Sequence, residues 1–334
     1  MDTLKVTIDV EEGTISVYNN GRGIPVAIHE IQQKFIPQLI FGELLTSSNY
    51  DDDEKKLTGG RNGYGAKLAN IYSHEFTVET ACKAGPGYDA AKYKQTWTEN
   101  MGKVTKAKIT ANSKGEEYTR VTFRPDLARF HMETIDDDTL SLLQRRVYDM
   151  AGTMKTTNLD GKKHGKDVKV WLNNERISIK SFKQYVEMYV SSAADTVSEQ
   201  TGAAATKPTI VHERINDRWE VAFTISETGT FQQISFANSI ATIKGGTHVN
   251  VVAEQIAKNL LTQIQKKNKA ATVKLPQIKN HMWLFVNALI ENPTFDSQTK
   301  ETLTLPASKF GSKPTLTEDF IKRGVSAKSY LDLN

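Results

Sequence analysis

The chain has 334 residues, a length that suits about two domains. Apolar residues make up 38%, charged residues 25% and aromatics 8%, which builds a sizeable core and excludes a disordered tail. A net charge of +4 is too mild to establish a nucleic-acid partner, the lone Cys82 excludes a disulfide framework, and no apolar run nears the roughly 20 residues of a membrane span.

The opening MDTLKVTIDV starts acidic and then alternates, unlike a signal or transit peptide. Leu4, Val6, Ile8 and Val10, then Ile15 and Val17 across Glu11-Glu12-Gly13, predict a hairpin with one buried face. The turn Asn19-Asn20-Gly21-Arg22-Gly23-Ile24-Pro25 follows. Pro37, Leu39, Ile40, Leu44 and Leu45 have helical spacing. A polar loop covers residues 46–60, and residues 63–72 read as a glycine-rich helix entry. Strands are expected at residues 76–80, 94–97 and 119–123, a helix over 140–151, and a strand over 168–172. Phe182, Tyr185, Val186, Tyr189 and Val190 form an amphipathic stripe behind a Ser181 cap. Residues 191–208, small and polar, read as the loop between two domains. Strands over 209–212, 219–225 and 231–236 precede a helix over 249–267, with Val252, Ile256, Leu260 and Ile264 on one face. From Gln255 to Ile290 there is no acid, but there are Lys258, Lys266, Lys267, Lys269, Lys274 and Lys279; Asp51, Asp52, Asp53 and Glu54 carry the opposite bias. The seven histidines are scattered without metal-ligand spacing, and a single cysteine suits a reducing compartment, cytosol or nucleus.

Four short pieces can carry chemistry. Gly59-Gly60-Arg61-Asn62-Gly63-Tyr64-Gly65-Ala66-Lys67 sets glycines ahead of a helical pattern. Consecutive N–H groups there converge on an anion, and Lys67 adds a cation. It is not a Walker A loop, because Ala66 and Lys67 stand where Lys and Ser or Thr belong. A flexible turn is the plainer reading. Asn19-x-Gly21-x-Gly23 lets a loop approach a flat ligand, with the Asn19 amide to pair with it. Thr46-Ser47-Ser48-Asn49-Tyr50 aligns small hydrogen-bonders. Asp296-Ser297-Gln298-Thr299-Lys300 places a lysine in a small polar loop, where plain solvation is the alternative.

In this order the pieces closely resemble the ATPase region of eukaryotic type IIA DNA topoisomerases. The resemblance rests on NNGRGIPV at Asn19–Val26, LIFGELLTSSNYDDDEKK at Leu39–Lys56, TGGRNGYGAKLANIYS at Thr58–Ser73, QQISFANSIATIKGGTHV at Gln232–Val249 and ENPTFDSQTKE at Glu291–Glu301. Bacterial gyrase B subunits carry looser versions; the acidic run favours the eukaryotic branch. A chaperone-like or mismatch-repair-like ATPase is disfavoured by these literal runs.

The resemblance implies an α+β chain of two domains. Residues 1–190 would be a GHKL (Bergerat-type) ATPase sandwich, a mixed sheet with helices on one face and its N-terminal helix missing. Residues 191–334 would be a transducer domain of ribosomal S5 domain 2-like α/β fold with an incomplete C-terminal arm. ATP and Mg²⁺ are the implied cofactors. Asn19 would lie at the adenine, and Ser47, Ser48 and Asn49 along the ribose and phosphates. Gly60, Arg61, Asn62, Gly63, Tyr64, Gly65, Ala66 and Lys67 would wrap the triphosphate. Gln298, Thr299 and Lys300 would reach in from the second domain, with Lys300 on the γ-phosphate. Gln265, Lys266 and Lys267 would contact duplex DNA phosphates. The glutamate general base and the magnesium-binding asparagine would belong to a helix upstream of Met1, so neither the base nor a metal ligand is expected in this chain. A nuclear, non-membrane fragment of a homodimeric enzyme is implied, lacking the cleavage domains. A non-catalytic nucleotide- and DNA-binding partial protein is the alternative.

Overall fold

The computed structural model describes residues 1–44, 55–60, 63–154, 167–204, 207–226, 228–267, 269 and 272–326. Contacts divide the chain into two units. One takes the described parts of residues 1–52, 60–151 and 165–178. The other takes those of residues 53–59, 152–164 and 179–334. The short stretch 55–59 thus belongs to the second unit although its neighbours in sequence belong to the first.

The first unit begins with the expected hairpin, β1 (Thr3–Asp9) and β2 (Thr14–Asn19), with Val6 opposite Val17. Then come α1 (Ile36–Gly42), α2 (Tyr64–Ile71), β3 (Ser73–Cys82), β4 (Ala91–Thr98), β5 (Lys103–Val104), β6 (Lys108–Ala111) and β7 (Tyr118–Pro125). Helix α3 (Asp137–Thr153) precedes β8 (Lys169–Leu172) and β9 (Glu175–Arg176). Among the described residues the strands form one sheet, ordered β5-β4-β3-β7-β2-β1-β8-β9, with β6 also on β4. The β1–β8 pair is parallel and the rest antiparallel, so the sheet is mixed.

Alternation decides the faces of the central strands. Phe76 and Val78 are fully buried, and Phe76 sits in register with Trp97 and Phe123. Phe41 of α1 and Ala66 and Ala69 of α2 pack on this apolar side. The opposite face is polar. Thr77 and Thr96 share a 2.8 Å hydroxyl bond, Ser16 and Thr122 a 2.9 Å bond, and Glu79 lies 3.7 Å from both Lys94 and Arg120.

Helix α1 is shorter than its apolar spacing predicts. It ends at Gly42, where a Cβ would lie 2.9 Å from Trp97 Nε1. Leu44, expected on the helical stripe, is outside the helix and 53% exposed; Leu45 lies outside the described residues.

The second unit contains α4 (Phe182–Thr201), β10 (Val211–Asn216), β11 (Trp219–Ile225), β12 (Gln232–Ala237), β13 (Ile240–Ala241), α5 (Thr247–Lys267), α6 (Leu275–Asn280), β14 (Met282–Ala288) and α7 (Glu318–Ser326). Its sheet runs β10-β11-β14-β12-β13. Strand β14 is central, antiparallel to β11 and parallel to β12. That position explains its nearly unbroken apolar sequence, since both faces are covered. The predicted stripe of α5 is buried in the same core: Val252, Ile256 and Leu260 are fully enclosed.

Helix α4 corrects the loop expected from residue 191. The Ser181 hydroxyl caps it by accepting from Gln184 N at 3.2 Å, and it continues to Thr201 before a left-handed Gly202. The small polar residues that suggested a loop satisfy their hydroxyls inside the helix. Thr196, Ser198 and Thr201 donate to the carbonyls of Ser192, Ala194 and Val197 at 2.8–3.0 Å. Ala194 is buried.

Candidate functional site

In the first unit, Asn19 closes β2 and its Oδ1 accepts from Gly21 N at 3.0 Å, an Asx-type turn. Gly23 is required for a different reason than close approach to a ligand. A Cβ there would fall 1.7 Å from the Ala81 carbonyl oxygen, so the turn lies flat on β3. The next amide, Ile24 N, donates to Thr80 Oγ1 at 3.0 Å. Thr80 is fully buried and also bonds the Tyr118 carbonyl at 2.8 Å. Thr80 carried no sequence signal, being one threonine among many in alternating strands.

The glycine-rich segment enters α2 through Gly63, whose φ of +66° is the left-handed conformation that glycine adopts without strain. The first-turn amides of α2 have no intrahelical acceptors and carry the positive end of the helix dipole. A Cβ at Gly60 or Gly65 would meet nothing within 4 Å, so space lies open beside both. Lys67 is 1% exposed, and burial holds its ammonium below the usual lysine range. Asn70, one turn on, donates to the Phe41 carbonyl at 3.0 Å and ties α2 to α1. Arg61, Asn62, Ser47, Ser48 and Asn49, all expected at the site, lie outside the described residues.

In the second unit, the loop bearing Gln298, Thr299 and Lys300 is cross-tied. Phe295 bridges Leu303, Asp296 N donates to the Thr302 carbonyl at 3.2 Å, and Lys300 N donates to Ser297 O at 3.1 Å. Gln298 and Thr299 are exposed. Lys300 is half-buried at φ +58°, and its ammonium donates to the Gly59 carbonyl at 2.7 Å. Burial lowers its pKa. Gly59, the first residue of the glycine-rich run, belongs to the second unit, as Lys300 does.

The GGTH run is the scaffold beneath this loop. Gly246 has a φ of +138°, and a Cβ on it would lie 2.3 Å from Leu303 O. Leu303 N donates to Gly245 O and Thr247 N to Leu303 O, both at 3.0 Å, while Thr247 Oγ1 donates to Leu305 O at 2.6 Å. Lys244 and Glu301 pair at 2.5 Å. His248 is wholly buried, with Nε2 3.1 Å from Thr242 Oγ1 and no partner for Nδ1. Burial pushes its pKa down to about 3, so the imidazole is neutral.

The basic stretch is not all available to a partner. Glu254, one residue upstream, approaches Lys258 at 3.7 Å and Lys279 at 3.9 Å. Gln265 and Lys266 are exposed at the end of α5; the backbone of Lys267 closes the helix. Among the described residues no group of three acidic, His or Cys side chains gathers for a metal, and no helix is long and apolar enough to cross a membrane.

The family model for DNA gyrase B matches residues 181–328. DNA topoisomerase 2-alpha of Gallus gallus is 54% identical over 326 residues, which cover 97% of this chain and 19% of that protein. DNA topoisomerase 2 of Arabidopsis thaliana is 52% identical over 323 residues, 97% of this chain and 20% of that protein. The chain therefore spans about a fifth of the length of these relatives. The crystal structure of the ATPase region of Saccharomyces cerevisiae topoisomerase II matches with a TM-score of 0.84 at 47% identity, over 99% of this chain and 78% of that one. The 43K ATPase domain of Thermus thermophilus gyrase B matches with a TM-score of 0.56 at 19% identity, a likeness of fold alone.

Proposed function

Since the chain belongs to the topoisomerase II family and matches its ATPase region, an α+β fold of GHKL type, we propose that it binds ATP and reports the γ-phosphate through Lys300. The observation that carries this reading is the Lys300 ammonium held 2.7 Å from Gly59 O, at the start of the glycine segment. In this reading Asn19 faces the adenine. Ser47, Ser48 and Asn49 follow the ribose and phosphates. The segment from Gly60 to Lys67, with Arg61 and Asn62 inside it, closes over the triphosphate. The helix-end amides supply donors aimed at anionic oxygens, and the buried Lys67 adds charge where solvent screening is weak. Gln298 and Thr299 flank Lys300 on its loop. ATP enters as its Mg²⁺ complex, the ion carried by phosphate oxygens and water.

A lysine bonded to the γ-phosphate distinguishes ATP from ADP by one charge-assisted hydrogen bond. A conformation that depends on that bond follows the state of the nucleotide. In a complete enzyme this would time the passage of one DNA duplex through another, in a homodimer, in the nucleus. Residues 1–190 would serve as the nucleotide domain and 191–334 as the transducer. Gln265, Lys266 and Lys267 would grip duplex phosphates without reading sequence.

The test is equilibrium binding of a non-hydrolysable ATP analogue and of ADP to the whole chain. Lys300→Ala is expected to weaken the analogue roughly 10- to 150-fold, the worth of a charged hydrogen bond, and to leave ADP nearly unchanged. An equal loss for both nucleotides, or no binding by the parent chain, sinks the reading.

A further inference from the structure

Two asparagines in the motifs quoted above have no role so far: Asn238 in QQISFANSI and Asn292 in ENPTFDSQTKE. The structure brings both onto residues 56–59, the stretch that leads into the glycine segment. Lys56 N donates to Asn292 Oδ1 at 3.1 Å, and Asn292 N returns a bond to Lys56 O at 3.0 Å. Asn238 Nδ2 donates to Thr58 O at 3.3 Å and to Ile290 O at 2.9 Å, while its Oδ1 accepts from Ile290 N at 2.7 Å. Lys300 takes the Gly59 carbonyl. Side chains add to this: Lys55 lies 3.5 Å from Glu291, and a Cβ on Gly59 would stand 2.1 Å from Ile240 Cδ1.

Both asparagines have positive φ, +52° at Asn238 and +43° at Asn292. Asparagine is among the few non-glycine residues at home there. Backbone conformation and side-chain chemistry therefore select the same residue at both places. All these groups belong to the second unit, whereas Gly60, the next residue, belongs to the first, and a Cβ there would meet nothing within 4 Å.

We propose that Asn238 and Asn292 are positioning residues that fasten the root of the phosphate lid to the unit that carries Lys300. The inference rests on the reading of residues 60–67 as that lid. The root of the lid is then residues 56–59. That root and the phosphate-sensing ammonium move as one body, because one carbonyl joins them. A loop already fixed at one end loses less conformational freedom when it closes on a ligand. A γ-phosphate that draws on Lys300 also draws on Gly59, so nucleotide state is passed to the lid through a backbone group.

The test uses the whole chain and two variants of one residue. Asn292→Gly keeps the positive φ and deletes the acceptor; Asn292→Asp keeps the acceptor. The readouts are hydrogen exchange of the Lys56 amide without nucleotide, and the ratio of ATP-analogue to ADP affinity. Asn292→Gly is expected to speed exchange at Lys56 about tenfold and to cut the ATP preference about tenfold, the effect of losing one partly buried hydrogen bond. Asn292→Asp is expected to restore both. Asn238→Gly, which also keeps its φ, is expected to repeat the Asn292→Gly result at lower amplitude. A Lys56 amide that stays protected in Asn292→Gly overturns the fastening. An ATP preference indifferent to residue 292, with Lys56 loosened, overturns the positioning role and leaves nucleotide binding intact. A parent chain with Lys56 protected that binds neither nucleotide overturns the nucleotide reading instead.

Discussion

The glycine segment of the first unit and the Lys300 loop of the second have opposite physical properties. At Gly60 and Gly65 nothing fills the space a Cβ would take, and the donors are amides at the start of a helix. Around Lys300 the backbone is tied on both sides, and Gly246 is wedged against Leu303 with no room for a methyl group. The first arrangement supplies partial charges that can rearrange around an anion. The second supplies one whole charge whose position is decided before any ligand arrives. A sensor needs both kinds: a mould that adapts and a probe that does not.

Glycine substitutions break this comparison most sharply. Gly246→Ala forces a Cβ onto Leu303 backbone atoms at a φ that L-residues rarely adopt, and should cost about 3 kcal/mol or more. Gly60→Ala should stay within about 0.5 kcal/mol of the parent. Urea midpoints of the two variants decide it; similar losses would mean the glycine segment is as tightly built as the Lys300 loop.

Acid sharpens it next. His248, in the scaffold beneath Lys300, has its pKa pushed down to about 3 against an ordinary 6.5. The unfolded chain thus binds a proton that the folded chain refuses. Its contribution is fully present above pH 6.5 and is lost as pH falls toward 3, at a slope near 1.4 kcal/mol per pH unit. The second unit should therefore lose stability between pH 6.5 and 4, and His248→Gln should flatten that slope. A parent slope no steeper than the variant's would show that the imidazole is not kept neutral.

The smallest expected effect lies on the surface. Lys266→Ala should weaken binding to any duplex by a similar factor and reduce the slope of log affinity against log salt by about 1. Lys258→Ala should do less, because Glu254 already approaches that ammonium at 3.7 Å. A sequence-dependent change would point to base contacts instead.

Long periodic elements were legible. The β1–β2 hairpin and α5 follow directly from alternation and from the stripe of Val252, Ile256 and Leu260. Strands β5, β9 and β13 have two residues each, too few for any period to register. The stretch 191–201 reads as a loop because hydroxyls suggest turns, yet here they bond back along the helix. At the candidate site, the glycines and Lys300 are visible in the sequence as candidates. Their partners are not, since Lys300 meets a carbonyl 241 positions away and a backbone acceptor leaves no trace in sequence. Asn238 and Asn292 were visible as letters in a motif, but their positive φ was not.

The pairing of Lys56 with Asn292 also constrains how the chain is made. These residues are 236 positions apart. At ordinary translation speeds the earlier segment leaves the ribosome roughly 10–50 s before its docking site exists. Helices α1 and α2, before and after it in sequence, can form meanwhile, while its own partners have yet to be made. Completion of that corner of the molecule is therefore a late event, and a pause in synthesis ahead of residue 292 would leave this stretch the natural target of a protease.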